Sequence, residues 1–561
     1  MKNLKDIKTR NQLADYIGVP RKTLSYILFI KKTENLYESF DIPKKSGGLR
    51  HINAPKEELK QIQKKLANIF YKYEEKIAAE NKINKKISHA FEKEKSFITN
   101  AKIHRNKRFV INVDLRNFFD SFHFGRIRGY FIKNKNYELS EEVATTIAQI
   151  VCYKGTLPQG APSSPIITNM ICNIFDMRLL NLSRKYKMNY TRYADDLTFS
   201  TNDKNFLAKK RDFFDDLLKE INQAGFNINS KKTRIQYKDS HQEVTGIVVN
   251  KKLNVDRNYY KQTRAMAQQL YKTGEFFIDN GLKGTINQLE GRFSFINQLD
   301  KYNNQLDDEK HNFEKLNGRE KTYSKFLFYK YFFANSKPII ITEGKTDILY
   351  LKAALKNLYK QYPDLIKKNK DEQFEYKLSF LKRNKRLEYF LNVSVDGANA
   401  LKNIVKFYSE KTNKEYFNYM KSLKNISGRN PLNSVILLYD NEISDSRKPI
   451  SDLIKNNKKE IDIELLKNKN WVHLKDNLYV MVTPLVDNND ESDIEMLFDK
   501  DIQNIEIEGR RFDKTGKKDK KEYFNKDIFS RYIMKHYKEI NFNGFIPVLN
   551  NIQEIISEYE K

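Results

Sequence analysis

The sequence has 561 residues, which is too long for one ordinary domain and indicates several cores. It holds 102 Lys and Arg against 72 Asp and Glu, a formal net charge of +30, so nucleic acid is the leading class of partner. Its two cysteines, Cys152 and Cys172, and its eight histidines match no zinc or haem spacing. No apolar run is long enough for a signal core or a membrane span, so we expect a cytoplasmic protein without membrane contact.

The chain begins with a predicted helical segment over residues 1–35. Within it, NQLADYIGVPRKTLSYIL is typical of two short helices around a Gly-Val-Pro turn, which is a helix-turn-helix pattern. The same pattern fits a helical pair that only packs on the next domain. Whether this segment touches nucleic acid therefore stays open.

A basic hairpin is predicted next, in FDIPKKSGGLRHINAP. Lys44 and Arg50 flank its Gly-Gly turn. Cations at a hairpin tip can reach phosphates, although a plain solvated loop fits the pattern equally well.

Two later segments end strand-forming runs with carboxylates. RFVINVDLRNFFDSF has an apolar run that ends at Asp114, and YTRYADDLTFS places Asp195 and Asp196 at a hairpin tip. Asp is a favoured turn residue, so an exposed turn is one interpretation of the Asp-Asp pair. If the strands are neighbours, the three carboxylates converge and need a counter-charge, which hard divalent cations supply. Two such ions can support nucleotidyl transfer.

The order of the surrounding segments favours chemistry over a plain turn. GTLPQGAPSSPIITNMICNIF lies between the two carboxylate motifs, and GFNINSKKTRI and QEVTGIVVN follow them. Together these motifs resemble reverse transcriptases in type, order and spacing. NAKIH, at residues 100–104, resembles the NAxxH box of retron reverse transcriptases, and residues 244–246 resemble their VTG box. The resemblance spans roughly residues 1–310.

This resemblance implies a right-hand polymerase of α+β class, with fingers, palm and thumb over residues 36–310. It implies that Asp114, Asp195 and Asp196 bind Mg²⁺ and are catalytic. It places Phe119 beneath the incoming sugar, where the ring would exclude a 2′-hydroxyl, and Gln159 beside the nascent base pair.

The remaining roles follow from the same resemblance. Lys44 and Arg50 would lie near the triphosphate of the incoming dNTP, and Lys232 is a candidate proton donor to pyrophosphate. The two retron boxes are where RNA contacts are expected, although ordinary packing is the alternative. Their residues are Asn100, Ala101, His104, Val244, Thr245 and Gly246.

Retron enzymes recognise a structured non-coding RNA and start DNA synthesis from the 2′-hydroxyl of an internal guanosine. The product is a branched RNA–DNA molecule, msDNA. The resemblance thus implies a cognate RNA, msDNA and dNTPs as partners, and oligomers could form through msDNA. Folded RNA is recognised mainly by shape, phosphates and 2′-hydroxyls, which suits a broad basic surface.

A second α/β unit is predicted over residues 336–505, after a polar linker or connecting helix at 311–335 and before a C-terminal extension at 506–561. PIIITEGKTDILYLKAAL places Glu343 directly after a buried strand, and SVILLYDNE ends another strand at Asp440 and Glu442. Ligands of open α/β sheets bind at such strand ends. A second Mg²⁺ site follows.

This pairing resembles the Toprim domain of topoisomerases, primases and related nucleases. Those domains carry a Glu-Gly after one strand and Asp-x-Asp after a later one, so Glu442 departs from the pattern by one methylene. Asp493 and Glu495, in SDIEMLF, resemble a further acid of those nucleases. A Toprim domain fused behind the polymerase is a known retron arrangement.

The resemblance therefore implies a Mg²⁺-dependent nuclease effector in antiphage defence, held silent by the nucleic acid as in a toxin–antitoxin pair. Its target could be DNA, RNA or tRNA. A structural α/β domain without chemistry is the alternative.

Two rival functions remain for the whole chain. One is a group II intron-like or mobile-element reverse transcriptase, against which the NAxxH and VTG boxes argue. The other is a non-catalytic nucleic-acid-binding scaffold, which would have no need of a YADD tip together with a separate strand-end aspartate.

Overall fold

The chain folds into two compact units in the computed structural model. Unit 1 comprises residues 1–257 and 299–303, and unit 2 comprises residues 258–298 and 304–561. The structure describes residues 4–44, 47–80, 87–278, 281–307, 311–409, 416–487, 489–514 and 518–561. No described helix is both long and apolar enough to cross a lipid bilayer.

Unit 1 combines helices with short strands. Its helices are α1 Arg10–Ile17, α2 Arg21–Ser25, α3 Glu57–Glu80, α4 Phe97–Ile103, α5 Phe124–Lys133, α6 Glu141–Val151, α7 Ser164–Lys185 and α8 Lys210–Gln223. Its strands are β1 Tyr37–Pro43, β2 Leu49–Pro55, β3 Phe109–Arg116, β4 Asn189–Tyr193, β5 Asp196–Thr201, β6 Asn227–Ile228, β7 Arg234–Tyr237, β8 Glu243–Val244 and β9 Ile247–Val248.

The main sheet of unit 1 has the order β4-β5-β3-β6, and β7 also pairs with β3. Strand β3 is central and almost wholly buried, as its apolar run FVINV predicts. It runs antiparallel to β5 in a register that pairs Asp114 with Asp196. This register brings the end of β3 to the tip of the β4–β5 hairpin.

A buried ion pair ties that hairpin to α7. Arg192, on β4, is fully buried, and its guanidinium forms two hydrogen bonds of 2.8 Å to the carboxylate oxygens of Asp176 on α7. Tyr190 donates to the same carboxylate at 2.9 Å. The guanidinium also donates to the carbonyl of Ala194, at 3.3 Å, inside the hairpin turn. The pair therefore positions the turn itself.

The β1–β2 hairpin is antiparallel and lies against the Gly/Pro loop that precedes α7. The backbone N–H of Asn53 donates to the carbonyl of Gln159 at 2.8 Å. Gly160 follows at φ +117°, and a Cβ there would lie 2.8 Å from the Ile52 side chain. Only glycine allows the loop to approach β2 this closely.

Unit 2 is built around a mostly parallel sheet. Its helices are α9 Arg257–Thr273, which begins at the unit boundary, α10 Ile286–Asn304, α11 Gly318–Phe328, α12 Asp347–Asn357, α13 Lys385–Leu391, α14 Asn399–Lys406, α15 Tyr419–Ser427, α16 Pro449–Asn456, α17 Ile463–Lys469, α18 Lys500–Gln503, α19 Lys526–Lys535 and α20 Ile546–Glu560. Its strands are β10 Ile339–Thr342, β11 Ile366–Lys368, β12 Phe374–Tyr376, β13 Ser379–Phe380, β14 Val435–Tyr439, β15 Trp471–Lys475, β16 Leu478–Val482, β17 Glu506–Ile507, β18 Arg510–Phe512 and β19 Tyr523–Phe524.

The central sheet of unit 2 has the order β13-β10-β14-β16-β15. Strands β13, β10, β14 and β16 are parallel to one another. Strand β15, at one edge of the sheet, pairs antiparallel with β16. Strands β10 and β14 are wholly buried, as continuous apolar runs in parallel sheets are expected to be. Their carboxyl ends meet at the same edge of the sheet.

The unit boundary near residue 257 lies earlier in the chain than the boundary at 310/311 expected for the polymerase. Helices α9 and most of α10 belong to unit 2, and their apolar faces share its core. Residues 311–335 are also part of this core, since Tyr323 and Phe326 are buried there. Because most residues of the 300–325 stretch are polar, its few apolar positions do not stand out in the sequence as core residues.

We expect Asp176→Ala to destabilise unit 1 by about 3–5 kcal/mol, because it leaves the buried Arg192 charge without a partner. Urea unfolding measures the loss, and amide hydrogen exchange locates it in β4 and β5. The matched control is Asp215→Ala, which removes an exposed ion pair with Arg211 and should change little. Equal effects of the two variants would contradict the role given to the buried pair.

Candidate active site

Three carboxylates lie at the end of β3 and the tip of the β4–β5 hairpin. Asp114 and Asp196 are paired across β3 and β5, and the carbonyl of Asp195 accepts from the N–H of Leu115 at 3.0 Å. Ala194, in the turn, has the left-handed φ of +55°. The main-chain pairing thus brings all three residues to one place.

Burial and neighbouring negative charge raise the pKa of two of the carboxyls, Asp195 and Asp196. Burial raises the pKa of Asp196 to about 7, and the negative charges of Asp195 and Asp114 add to this effect. Burial and the charge of Asp114 also raise the pKa of Asp195, while Lys232 and Arg50 partly offset the shift. The site therefore carries more negative charge than the chain compensates, which is the condition that a bound cation relieves.

Asp114 has two partners from the segment after α8. Its carboxylate accepts from Asn229 Nδ2 at 2.8 Å and from Lys232 Nζ at 3.0 Å. The hydrogen bond to Asp114 raises the pKa of Lys232. Lys232 thus stays protonated at neutral pH, with its ammonium group held at Asp114 although most of the side chain is exposed.

The three acids lie together, but their side chains do not form a closed set of ligands around one point. Across the described ranges, no group of three or more His, Cys, Asp or Glu side chains is arranged to hold a metal. The oxygens of Asp114 are engaged by Asn229 and Lys232. A cation bound by all three acids would take the place of part of that interaction.

A cleft of about 990 Å³ joins this tip to the β1–β2 hairpin. Lys44, Arg50 and Gln159 line it together with Asp114 and Asp195. The cleft therefore combines carboxylates with cations, as a site for a nucleoside triphosphate and its metal would need.

Phe119 lies just beyond β3, in the one-turn helix Phe119–Ser121. It is half-buried, and its ring packs edge-on against Phe118 with 5.5 Å between centroids. Phe118 and Asp120 line the cleft, whereas Phe119 does not in this arrangement. Its role beneath a sugar stays a prediction.

The NAxxH residues face inward. Asn100, Ala101 and His104 are fully buried. The His104 ring lies 2.8 Å from Ser200 Oγ and 2.7 Å from Thr191 Oγ1, and burial lowers its pKa to about 3. Direct RNA contact by these three side chains would require unpacking, because they join α4 to β4 and β5. The structure thus shows these side chains in the packed arrangement that was the alternative for the box, and RNA recognition through the box stays a prediction.

The VTG residues form the tip of the β8–β9 hairpin. Val244 is buried, whereas Thr245 and Gly246 occupy the turn at φ +48° and +81°. The Thr245 hydroxyl donates to the carbonyl of Phe97, at the start of α4, at 3.2 Å. The VTG turn therefore contacts α4, the helix that carries Asn100 and Ala101, and of the six box residues Gly246 is exposed.

A second group of acids lies in unit 2, at the carboxyl ends of β10 and β14. Glu343 follows β10, Asp440 follows β14, and the N–H of Asp440 donates to Glu343 Oε2 at 3.1 Å. Burial, with the charges of Asp347 and Glu343, raises the pKa of Asp440 well above its ordinary value. Burial and Glu442 raise the pKa of Glu343.

Asp347, the first residue of α12, also belongs to this group. Its carboxylate accepts from the N–H of Gly344 at 2.7 Å. A Cβ on Gly344 would lie 2.9 Å from that carboxylate, so a larger residue there would displace the Asp347 side chain. Burial and the charge of Glu495 raise the pKa of Asp347 to about 7. The Glu-Gly-x-x-Asp spacing was the available signal.

The SDIE segment joins the same edge through its backbone. Asn441 and Ser492 exchange two hydrogen bonds, of 2.7 and 2.9 Å, which bring Glu495 close to the other acids. Glu495 is buried and is paired with Lys526 at 2.9 Å. Glu442 is instead paired with Lys448. Lys526 and Lys448 were not identified from the sequence.

Comparison with known proteins identifies a family for the part of the chain that forms unit 1. A family model for reverse transcriptase (RNA-dependent DNA polymerase) matches residues 42–255. Unit 1, which contains those residues, thus has a polymerase fold of the reverse transcriptase type.

Curated relatives are retron enzymes. The chain is 33% identical to the Retron Ec86 reverse transcriptase of Escherichia coli, over 52% of this chain and 85% of that protein. It is 32% identical to the Retron Mx65 reverse transcriptase of Myxococcus xanthus, over 47% of this chain and 63% of that one. The Retron Mx162 reverse transcriptase of the same organism is 30% identical, over 53% and 65%. The match thus leaves more than a third of the two Myxococcus proteins uncovered.

Among solved structures, apo telomerase from Candida tropicalis aligns over 53% of this chain and 61% of its own, at 13% identity and a TM-score of 0.31. A superposition at that score carries no structural argument. The identity to the Escherichia coli enzyme, over most of its length, confirms the resemblance first indicated by the NAxxH and VTG boxes. This chain belongs to the family of retron reverse transcriptases.

Proposed function

We propose that this protein is an RNA-directed DNA polymerase that makes msDNA on a cognate retron RNA, using dNTPs. The observation that carries the proposal is the meeting of Asp114, Asp195 and Asp196 beside a cleft that Asp114 and Asp195 line together with Lys44 and Arg50. The family membership supports the same activity. The charge of +30 suits a folded RNA partner and its DNA product.

The residues of the cleft divide the work of nucleotidyl transfer. Lys44 and Arg50 attract the triphosphate, and Gln159 lies on the loop that approaches β2, where a nascent base pair would pack. Lys232 holds a proton at Nζ, within reach of Asp114, and can deliver it to the departing pyrophosphate. Phe119 would select dNTPs by excluding the 2′-hydroxyl.

The carboxylates would hold magnesium. Asp114, Asp195 and Asp196 provide the hard oxygen ligands that Mg²⁺ prefers, and the raised pKa values of Asp195 and Asp196 fit an uncompensated cation site. When bound, Mg²⁺ supplies Lewis-acid activation of the attacking hydroxyl and charge stabilisation of the leaving group. In retron chemistry, that first hydroxyl is the 2′-hydroxyl of a guanosine.

For RNA recognition we propose the surface around the VTG turn. Gly246 is exposed there, and the buried NAxxH residues hold α4 beneath it. The NAxxH box would then act through position, by fixing the turn that meets the RNA.

For unit 2 we propose a Toprim-like, Mg²⁺-dependent nuclease that acts as an antiphage effector and is silenced by the retron nucleic acid. Support comes from the parallel sheet and from Glu343, Asp347, Asp440 and Glu495 at its carboxyl edge. The raised pKa values of these acids again fit a cation site. Glu442, paired with Lys448, would join as a ligand only after leaving that partner.

Changing both Asp195 and Asp196 to Asn should lower DNA synthesis by at least about a hundred- to a thousandfold, the scale of losing a preorganised electrostatic group. The measurement is the synthesis of branched DNA on the cognate retron RNA, with dNTPs and Mg²⁺ and without an added primer. The control is Asp239→Asn, an exposed acid in the same unit. Branched product from the double variant at the normal rate would refute the assignment.

In metal-free buffer, the free energy of unfolding of unit 1 should fall as pH rises from about 4 to about 7, because of the Asp196 carboxyl. The folded carboxyl has a pKa of about 7, so it retains a proton that the unfolded chain releases. The effect should reach at most roughly 4 kcal/mol. Urea unfolding at several pH values measures it.

Two comparisons isolate this effect. Asp196→Asn should remove its part of the pH slope, and Mg²⁺ should stabilise the wild type more at pH 8 than at pH 5. A slope unchanged in the Asn variant would show that other groups cause it.

Glu343→Gln and Asp440→Asn should each preserve msDNA synthesis but abolish phage protection, because they remove oxygen charge from the second acid group only. Plaque counts and msDNA yield are read from the same cells. Glu388→Gln, an exposed acid of unit 2, is the matched control. Normal protection by both variants would show that the effector does not depend on these acids.

A further inference from the structure

Unit 2 contains a cavity that neither proposed activity uses. It has a volume of about 820 Å³ and lies between α9, α11 and the segment leading into α15. None of the acids around Glu343 and Asp440 lines it. Pockets for small ligands generally have volumes of about 300–1,000 Å³, so this one is large enough for a nucleotide.

The floor of the cavity is aromatic. Tyr271 and Tyr419 are buried in it, and Phe313 packs against Tyr416 with 4.9 Å between ring centroids. Phe417 stands at the rim, 57% exposed and 5.6 Å from the Tyr419 ring. An exposed ring beside a buried aromatic floor offers a stacking surface for a planar base.

The walls of the cavity are basic. Lys261 and Arg264 are three residues apart on α9, and Lys321 and Lys325 are four apart on α11, so each pair shares a helix face. In the part of the chain that the structure describes, Lys261, Arg264 and Lys321 form no ion pair with a carboxylate. One acid, Glu314, also lines the cavity. Four cations against one acid favour an anionic ligand.

Two polar groups are buried toward this cavity. Lys325 is half-buried, its Nζ donates to Ser422 Oγ at 2.9 Å, and burial lowers its pKa. The Tyr271 hydroxyl is buried and, among the described residues, has no hydrogen-bond partner. Buried polar groups are nearly always satisfied, so the hydroxyl of this lining residue needs a partner that the described protein groups do not supply.

The geometry points to a second nucleotide site in unit 2, distinct from the dNTP cleft of unit 1. The base stacks on Phe417, the phosphates meet Lys261, Arg264 and Lys321, and a polar ligand atom satisfies Tyr271. The ligand is a nucleotide, either free or as one residue of a single strand of nucleic acid.

The test uses the full-length protein in EDTA, which suppresses metal-dependent binding at the carboxylate sites. Radiolabelled ATP is bound in equilibrium dialysis, and 8-azido-ATP is cross-linked by light and mapped by mass spectrometry. We expect labelled peptides from α9, α11 or residues 416–427. A label confined to unit 1 would overturn the proposal.

Arg264→Glu and Phe417→Ala should each weaken ATP binding by about tenfold or more, since one removes a charge-assisted hydrogen bond and the other a stacking ring. Both side chains are exposed, so the fold should persist, and thermal unfolding checks this. Lys272→Glu, on the same helix but outside the cavity, is the matched control and should bind normally. Equal binding by all three variants would overturn the proposal.

Competition identifies the source of the nucleotide. Unlabelled ATP, a 5′-phosphorylated single-stranded oligonucleotide and inorganic phosphate are compared as competitors. Stronger competition by ATP supports a free nucleotide, and stronger competition by the oligonucleotide supports a strand residue. Equal competition by phosphate and ATP would show that the aromatic floor contributes nothing and would overturn the assignment. No binding of ATP or of the oligonucleotide below about 1 mM would do the same.

Discussion

The buried pair of Arg192 and Asp176 is the interaction on which the active-site geometry depends. It joins β4 to α7, and the same guanidinium holds the carbonyl of Ala194 in the hairpin turn. A charge with no access to water tolerates little displacement, because losing its partner is costly. The turn that carries Asp195 and Asp196 therefore has one well-defined position beside the end of β3.

Both groups of acids follow the same physical logic. In each unit, carboxylates lie near the ends of buried strands, at an edge of the sheet where ligands of such sheets can bind. In each, burial and mutual repulsion raise a carboxyl pKa to about 7, at Asp196 in unit 1 and at Asp347 in unit 2. Lysines offset only part of this charge, since Lys232 pairs with Asp114 and Lys526 with Glu495. The uncompensated remainder is what makes magnesium a fitting ligand in both proposals.

The retron boxes show how a family motif can act through packing. Asn100 and His104 are identified by their letters and spacing, but their side chains form hydrogen bonds inside unit 1 with Thr191 and Ser200. A sequence motif records which residues occur and not which way they face. Thr245, in the VTG turn, contacts the start of α4, and α4 carries Asn100 of the NAxxH box. A substitution that shifts α4 is therefore expected to shift the exposed turn as well.

The sequence by itself determined the family, the buried strands that end at Asp114, Glu343 and Asp440, and the Asp-Asp hairpin. These features depend on local properties, namely apolar periodicity and turn-forming residues. Only the tertiary structure decided that Lys232 pairs with Asp114 across 118 positions of sequence, that Asp347 joins the second group of acids, and that the NAxxH side chains are buried. It alone assembled the aromatic and basic cavity of unit 2 from three separate segments. Burial, ion pairing and pKa depend on neighbours that are distant in the chain, and no local pattern specifies them.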